Sequence, residues 1–94
     1  MKLRKSENPR KKYDAVFDDG RVVSFGAIHP DGRPYIDYTT GATDSQRERY
    51  LARHRHREDW DDPYSPGALS ARILWGESRS LQANLNAYRK RFRL

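Results

Sequence analysis

Apolar residues recur along this chain with two different periods. A period of two, typical of strands, occurs near the beginning, and the period of a helix follows it. Between Lys12 and Ala27 apolar residues alternate in KYDAVF and continue in RVVSFGA, with the turn sequence Asp18-Asp19-Gly20 between the two runs. Alternation with period two is typical of strands, and such a turn is typical of a hairpin, so this segment predicts a β-hairpin. Tyr35–Thr39 predicts either a third strand or an extended segment laid across the hairpin.

After this part the period changes to that of a helix. Thr43 and Gln46 are spaced as a capping box, which predicts a first helix from about Asp44 to His56. Ser65-Pro66 predicts the start of a second helix over Gly67–Trp75, ending at Gly76. A third helix, with Ser78 as its N-cap, is predicted from one apolar stripe formed by Leu81, Leu85, Tyr88 and Phe92. The predicted fold class is therefore α+β, with an N-terminal β-hairpin or small meander followed by three short helices.

The first eleven residues show neither period. They are polar, basic and interrupted by Pro9, so we expect residues 1–11 to form a basic arm that is disordered in isolation. Residues 12–94 would then form one small α+β domain. The whole chain has 35% hydrophobic and 34% charged residues, so we expect the domain to have a thin core, to which eleven aromatic residues add bulk.

Positive charge is concentrated at the two ends of the chain. The formal net charge is +6, of which residues 1–13 contribute +5 and residues 89–94 contribute +4, so the middle sums to −3. Such ends commonly contact a polyanion or an acidic protein surface. The candidate partner- or anion-binding residues at these ends are Lys2, Arg4, Lys5, Arg10, Lys11, Lys12, Arg89, Lys90, Arg91 and Arg93.

The most basic internal segment is RERYLARHRHR, residues 47–57. At 3.6 residues per turn it places Tyr50 and His54 on one side of a helix and Arg49 and Arg53 on another. Arg49 and Arg53 are therefore candidate anion-binding residues, because a guanidinium offers a planar fork of donors to carboxylate or phosphate. An ordinary solvated helix face explains the same pattern.

Glu58 follows two arginines and precedes a tryptophan. This order predicts an internal ion-pair cluster of Glu58 with Arg53 and Arg57, with Trp60 packed beneath it. We expect Trp60 and Trp75 in the core, but both remain candidate interface residues, since tryptophan is common at binding hot spots and can stack on bases.

Catalytic signatures are weak in this sequence. There is no cysteine, which excludes disulfides and thiolate metal sites, and the single glycines form no phosphate-binding loop. His54 and His56 would point roughly 200° apart on a helix, which is poor geometry for one metal ion. A nuclease-like site of His54 with acidic residues stays a distant alternative, its acids being Glu58, Asp59, Asp61 and Asp62. We expect no catalytic residue, no cofactor, no resident metal and, without an apolar run of about 18 residues, no membrane partner.

Several segments also occur in an informative order, namely VVSFGA, IDYTT, RERYLARHRHREDW, LSARILWG and SLQANLNAY with a terminal RF. This succession, from Val22 to Phe92, resembles a family of small proteins of unknown function encoded by large DNA viruses of algae and protists. The resemblance implies a viral origin and a compact α+β domain, and it brings no catalytic residue.

We therefore expect a non-enzymatic viral structural protein, such as a minor capsid or virion component, which binds neighbouring virion proteins. Its location would be the virion, or the cytoplasm or nucleus of the infected cell. The alternative is a nucleic-acid-binding or genome-packaging protein that contacts DNA or RNA phosphates without sequence specificity. No recognition-helix or zinc-finger pattern is present to read bases.

Overall fold

The computed structural model describes residues 1–94 and contains a three-stranded antiparallel sheet followed by three helices. The strands are β1 (Lys2–Lys5), β2 (Lys11–Val16) and β3 (Val22–Ala27), in the spatial order β1-β2-β3. The helices are α1 (Asp44–His54), α2 (Pro66–Leu69), which continues as a π-helical turn over Ser70–Leu74, and α3 (Leu81–Phe92). The α+β class expected from the sequence is confirmed.

The predicted hairpin consists of β2 and β3, which place Tyr13 opposite Phe25. Gly20 closes its turn with a φ of 92°, in the left-handed region that favours glycine. The Gly20 N–H donates to the Phe17 carbonyl at 3.0 Å. The turn residues identified in the sequence therefore perform the role that their composition indicates.

The segment predicted as a disordered arm instead contains the first strand of the sheet. β1 pairs with β2 so that Leu3 lies opposite Ala15. Met1 is buried, Leu3 packs against the core, and the Ser6 hydroxyl donates to Asp14 at 2.7 Å. The prediction of an arm was wrong because only two residues, Met1 and Leu3, form the apolar pattern of period two, and the charged residues around them obscure it.

Between β3 and α1 the chain forms an extended segment rather than a third strand of the hairpin. One isolated bridge joins Ile28 and Pro34, and the Tyr35 N–H donates to the Ala27 carbonyl at 3.2 Å. A single 3₁₀ turn, Tyr38–Thr40, follows. Residues 35–37 correspond to the predicted extended segment against the hairpin, whereas Tyr38 and Thr39, which were predicted to continue it, belong to the 3₁₀ turn.

The helices begin and end close to the predicted positions. The capping box of α1 is present, with the Gln46 N–H donating to Thr43 Oγ1 at 3.1 Å and the Thr43 N–H to Gln46 Oε1 at 2.7 Å. The helix ends two residues earlier than predicted, at His54. The N-cap of α3 is Ser80 rather than Ser78, and its hydroxyl accepts from the N–H of Ala83.

The π-helical turn after α2 was not predicted from the sequence. Its last hydrogen bond joins the Trp75 N–H to the Ser70 carbonyl at 3.0 Å, five residues back. Gly76 follows directly, and a Cβ there would lie 2.4 Å from the Arg72 carbonyl oxygen and 2.6 Å from Asn84 Cγ. The glycine is therefore required by the close approach of this turn to α3.

The core lies between the sheet, the π-helical turn and α3. Its buried residues include Ala15, Phe17, Phe25, Leu69, Ile73, Leu74, Leu85 and Tyr88. Leu81 and Phe92 pack against this cluster, so the predicted apolar stripe of α3 is confirmed. Burial raises the pKa of Tyr88, whose hydroxyl donates to the Pro63 carbonyl at 2.9 Å. No helix combines the length and the apolar surface that a membrane span requires.

Candidate functional site

A cleft of about 530 Å³ lies between the open end of the β2–β3 hairpin and α1. The segment 35–37 and the π-helical turn complete its walls. Its size falls in the range of ligand-binding sites in proteins. We call this surface the cationic cleft because cationic side chains line it.

Three cationic side chains without an acidic partner line the cationic cleft. Arg49 and Arg53 come from α1, are exposed and lie one helical turn apart. Lys11 comes from the first position of β2. None of the three has a carboxylate oxygen within 4.0 Å. Arg49 and Arg53, identified from the helical period alone, therefore occur together with Lys11 in one concave surface.

The fourth cation of the cleft is neutralised within the protein. Lys12 Nζ lies 2.6 Å from Asp37 Oδ2 and also donates to the Tyr35 carbonyl. The side chains of Lys12 and Asp37 are 8% and 3% exposed. Asp37 in turn caps the 3₁₀ turn by accepting from the Thr39 N–H at 2.8 Å. Lys12 therefore fixes the segment 35–37 against the hairpin and is not a free anion-binding residue.

That same segment carries two of the three exposed large apolar side chains of the protein. Ile36 is 62% exposed and Tyr35 is 47% exposed, and both line the cationic cleft. One face of Tyr35 stacks on His29, with ring centroids 3.5 Å apart. The cleft thus combines an apolar rim with a cationic α1 wall.

A stack of three rings, which also line the cleft, holds α1 in place. Tyr50 lies between Trp75 at 4.3 Å and His54 at 4.1 Å, measured between ring centroids, and is tilted by only 8° from Trp75. Burial, and then the nearby charge of Glu58, raises the pKa of Tyr50 to about 12. The stack fixes the rotation of α1 and thereby the direction in which Arg49 and Arg53 face.

Glu58 makes contacts other than those predicted for it. Its carboxylate meets His54 Nδ1 at 3.1 Å and accepts from Trp60 Nε1 at 3.0 Å. The predicted ion pairs with Arg53 and Arg57 are absent, and both arginines are exposed. A Cβ on Gly67 would lie 2.7 Å from Glu58 Cδ, so a glycine at that position leaves room for the carboxylate.

The net charge of the cleft favours the binding of anions. Four cationic and two anionic side chains line it, which gives a net charge of +2 with His54 neutral. No group of three or more His, Asp or Glu side chains is arranged to hold a metal ion, so the distant nuclease alternative receives no support from Glu58 or its acidic neighbours. Two guanidinium groups one turn apart suit two carboxylates or phosphates.

Of the nineteen Lys and Arg side chains, seven have an Asp or Glu carboxylate oxygen within 4.0 Å and twelve have none, although Arg89 Nε donates to the Leu94 main-chain oxygen at 3.4 Å. The paired residues are Arg4, Lys12, Arg21, Arg33, Arg72, Arg79 and Arg91. Arg47 has no acidic partner, but its Nε donates to the carbonyls of Trp75 and Gly76.

Three of the predicted terminal binding residues are therefore engaged inside the protein. Arg4 pairs with Asp14 at 3.4 Å, Arg91 pairs with Asp61 at 3.3 Å, and Lys12 is the buried partner of Asp37. The other seven terminal candidates have no acidic partner: Lys2, Lys5, Arg10, Lys11, Arg89, Lys90 and Arg93. Lys11 alone among them lies in the cleft.

Both tryptophans are half-buried and have internal partners. Trp75 stacks on Tyr50, and Trp60 donates to Glu58 while its carbonyl accepts from Arg72 Nε at 2.8 Å. These contacts favour the expected structural role over the interface role. The apolar contact residues that sequence reasoning missed are Tyr35 and Ile36, whose exposure no local pattern indicates.

Residues 1–54 match the model of a family described as a family of unknown function (DUF5754). The matched region includes all three strands and α1, and so it contains Lys11, Arg49 and Arg53 of the cationic cleft. Searches of curated proteins and of solved structures found no significant match. Since the match covers more than half of the chain, the protein belongs to this family of unknown function, DUF5754.

Proposed function

We propose that the protein is a non-enzymatic structural component of a virus particle that binds acidic surfaces of neighbouring virion proteins. The observation that carries this proposal is the set of twelve Lys and Arg side chains without an acidic partner in the chain. The viral setting rests on the resemblance of the ordered segments from Val22 to Phe92 to small viral proteins.

The unpaired cations favour binding for a physical reason. A surplus of one sign of charge raises the rate at which a protein meets a partner of the opposite sign and selects against like-charged surfaces. Arg49 and Arg53 project from a helix that the ring stack holds in place, so little backbone freedom of α1 remains to be lost on binding. The positions of Arg49 and Arg53 suit a role in binding rather than in catalysis.

Two measurements test this proposal. Mass spectrometry of purified virus particles should detect the protein in stoichiometric rather than trace amounts, and absence from mature particles would remove the structural role. Binding of the purified protein to poly-L-glutamate should be measurable at about 50 mM salt and should weaken as salt screens the charges. Absence of binding at low salt would contradict the proposed preference for acidic surfaces.

Non-specific binding of nucleic acid is the second candidate function. Nine of the twelve unpaired cations lie outside the cleft, including Lys2, Lys5, Arg89 and Lys90, and such a spread suits contacts to a phosphate backbone. If about six of them met phosphates of duplex DNA, log K would fall with log salt concentration with a slope near −5. A flat response would eliminate this candidate.

A further inference from the structure

We propose that the cationic cleft binds an extended acidic segment of a partner protein, in which carboxylate side chains alternate with apolar ones. This inference rests on the proposed function and assigns it a site and a partner chemistry. It concerns the surface lined by Lys11, Arg49, Arg53, Tyr35 and Ile36. The remaining unpaired cations are not part of it.

The spacing of the two arginines fits an extended chain. Residues four apart on a helix are separated by a rise of about 6 Å along the axis. In an extended peptide, residues i and i+2 point to the same side and lie about 6.8 Å apart. Carboxylates at i and i+2 can therefore each meet one guanidinium, from Arg49 and Arg53. Lys11, on β2, supplies a third positive charge from another wall of the cleft.

The exposed apolar rim explains why the partner residue between the two carboxylates should be apolar. In an extended chain residue i+1 points to the opposite side from residues i and i+2. The rim residues Tyr35 and Ile36 belong to a different element from α1, and Ile36 is the most exposed of the large apolar side chains. An apolar side chain at i+1 would cover Ile36 and remove its surface from water.

The rings in the cleft favour a peptide over a nucleic-acid strand. Single-stranded nucleic acid is bound by cations together with open aromatic faces on which bases stack. Here both faces of Tyr50 are covered, by Trp75 and His54, and one face of Tyr35 is covered by His29. An aliphatic rim residue such as Ile36 offers no stacking surface. Charge attracts either class of ligand, but the single open ring face, on Tyr35, offers only one stacking position, whereas Tyr35 and Ile36 together suit an apolar peptide side chain.

The direct test is fluorescence anisotropy with a labelled, capped peptide of alternating Glu and Ile residues at about 50 mM salt. Arg49→Ala/Arg53→Ala should weaken its binding at least tenfold. The matched control Arg89→Ala/Lys90→Ala removes the same charge from unpaired residues outside the cleft and should weaken binding less than threefold. Ile36→Ser should weaken it about fivefold, and should leave binding to a thymidine oligonucleotide unchanged.

A second peptide tests the alternation. A peptide of the same composition with its Glu residues consecutive should bind at least fivefold more weakly, because its carboxylates then point to both sides. Equal affinity for the two peptides, or equal losses in the two double variants, would overturn the cleft assignment. Tighter binding of the oligonucleotide than of the peptide, abolished by Arg49→Ala/Arg53→Ala, would overturn it in favour of nucleic acid.

Failure of the cleft and failure of the proposed function give different results. If wild-type protein binds poly-L-glutamate and only Arg89→Ala/Lys90→Ala weakens that binding, the proposed function stands and the cleft assignment is wrong. If wild-type protein binds no acidic polymer, the proposed function itself is wrong. Circular dichroism checks the fold of each variant, and Ile36→Ser gives an independent reading if the arginine variant unfolds.

Discussion

Replacing Lys12 by methionine should destabilise the protein strongly, although the side chain keeps nearly its length. Lys12 and Asp37 form a buried ion pair at 2.6 Å, with side chains 8% and 3% exposed. Removing one partner of such a pair leaves an uncompensated buried charge and costs about 3–5 kcal/mol. The Asp37 carboxylate retains hydrogen bonds from the N–H and hydroxyl of Thr39, so we expect the low end, about 3 kcal/mol.

Urea unfolding followed by circular dichroism measures this effect. With an m-value of about 1 kcal/mol/M, a loss of about 3 kcal/mol lowers the unfolding midpoint by about 3 M. Lys11→Met is the matched control, since it makes the same chemical change at the adjacent lysine, which has no acidic partner. The control should stay within about 0.5 kcal/mol of the wild type.

A second substitution isolates the charge. Asp37→Asn keeps an N-cap residue for the 3₁₀ turn but removes the buried negative charge. The variant with both Lys12→Met and Asp37→Asn should therefore be more stable than Lys12→Met alone. Equal midpoints for Lys12→Met and Lys11→Met would refute the reasoning, because burial of the pair would then carry no energetic weight.

Three further predictions concern single positions. Gly76→Ala should lower the free energy of unfolding by about 3 kcal/mol in calorimetry, because its Cβ would meet the Arg72 carbonyl oxygen at 2.4 Å, and a neutral result would contradict that contact. Ser24→Ala should raise the pKa of Asp14, which NMR can measure, because the Ser24 hydroxyl donates to Asp14 at 2.6 Å and is the main cause of the lowered pKa, ahead of Ser6. Ser45→Ala, at an exposed serine, is the control and should leave the pKa of Asp14 unchanged. Burial raises the pKa of Tyr50 from 10.0 to about 12, so its stabilisation is present below pH 10 and is lost as pH rises through about 12. Over that pH interval the Tyr50→Phe variant should therefore lose less stability than the wild type. Parallel curves of stability against pH for the two proteins would contradict this prediction.

Local signals in the sequence predicted most of the fold. Three features depend only on residues close together in the sequence and could therefore be recognised from it. They are the Asp18-Asp19-Gly20 turn, the capping box of Thr43 and Gln46, and the apolar stripe of α3. The strand β1 was missed because only Met1 and Leu3 indicate it. The π-helical turn was missed because it depends on how Gly76 packs against Asn84, which is a tertiary contact.

The site was predicted less completely, for a related reason. Arg49 and Arg53 follow from the helical period, whereas Lys12 is removed from the set of free cations by Asp37, which lies 25 residues away. The exposure of Ile36 likewise depends on the hydrogen bonds that hold the segment 35–37 at the edge of the hairpin. A sequence shows which side chains are charged, and only the fold shows which charges meet inside it.

The proposed binding function depends on positive charge that the chain does not neutralise by itself. The most direct measurement is a titration of the wild-type protein with poly-L-glutamate over a series of salt concentrations from about 50 mM upward. We expect binding at the lowest salt concentration and a steady loss of affinity as the salt concentration increases. No binding at about 50 mM salt, or an affinity that salt leaves unchanged, would contradict it.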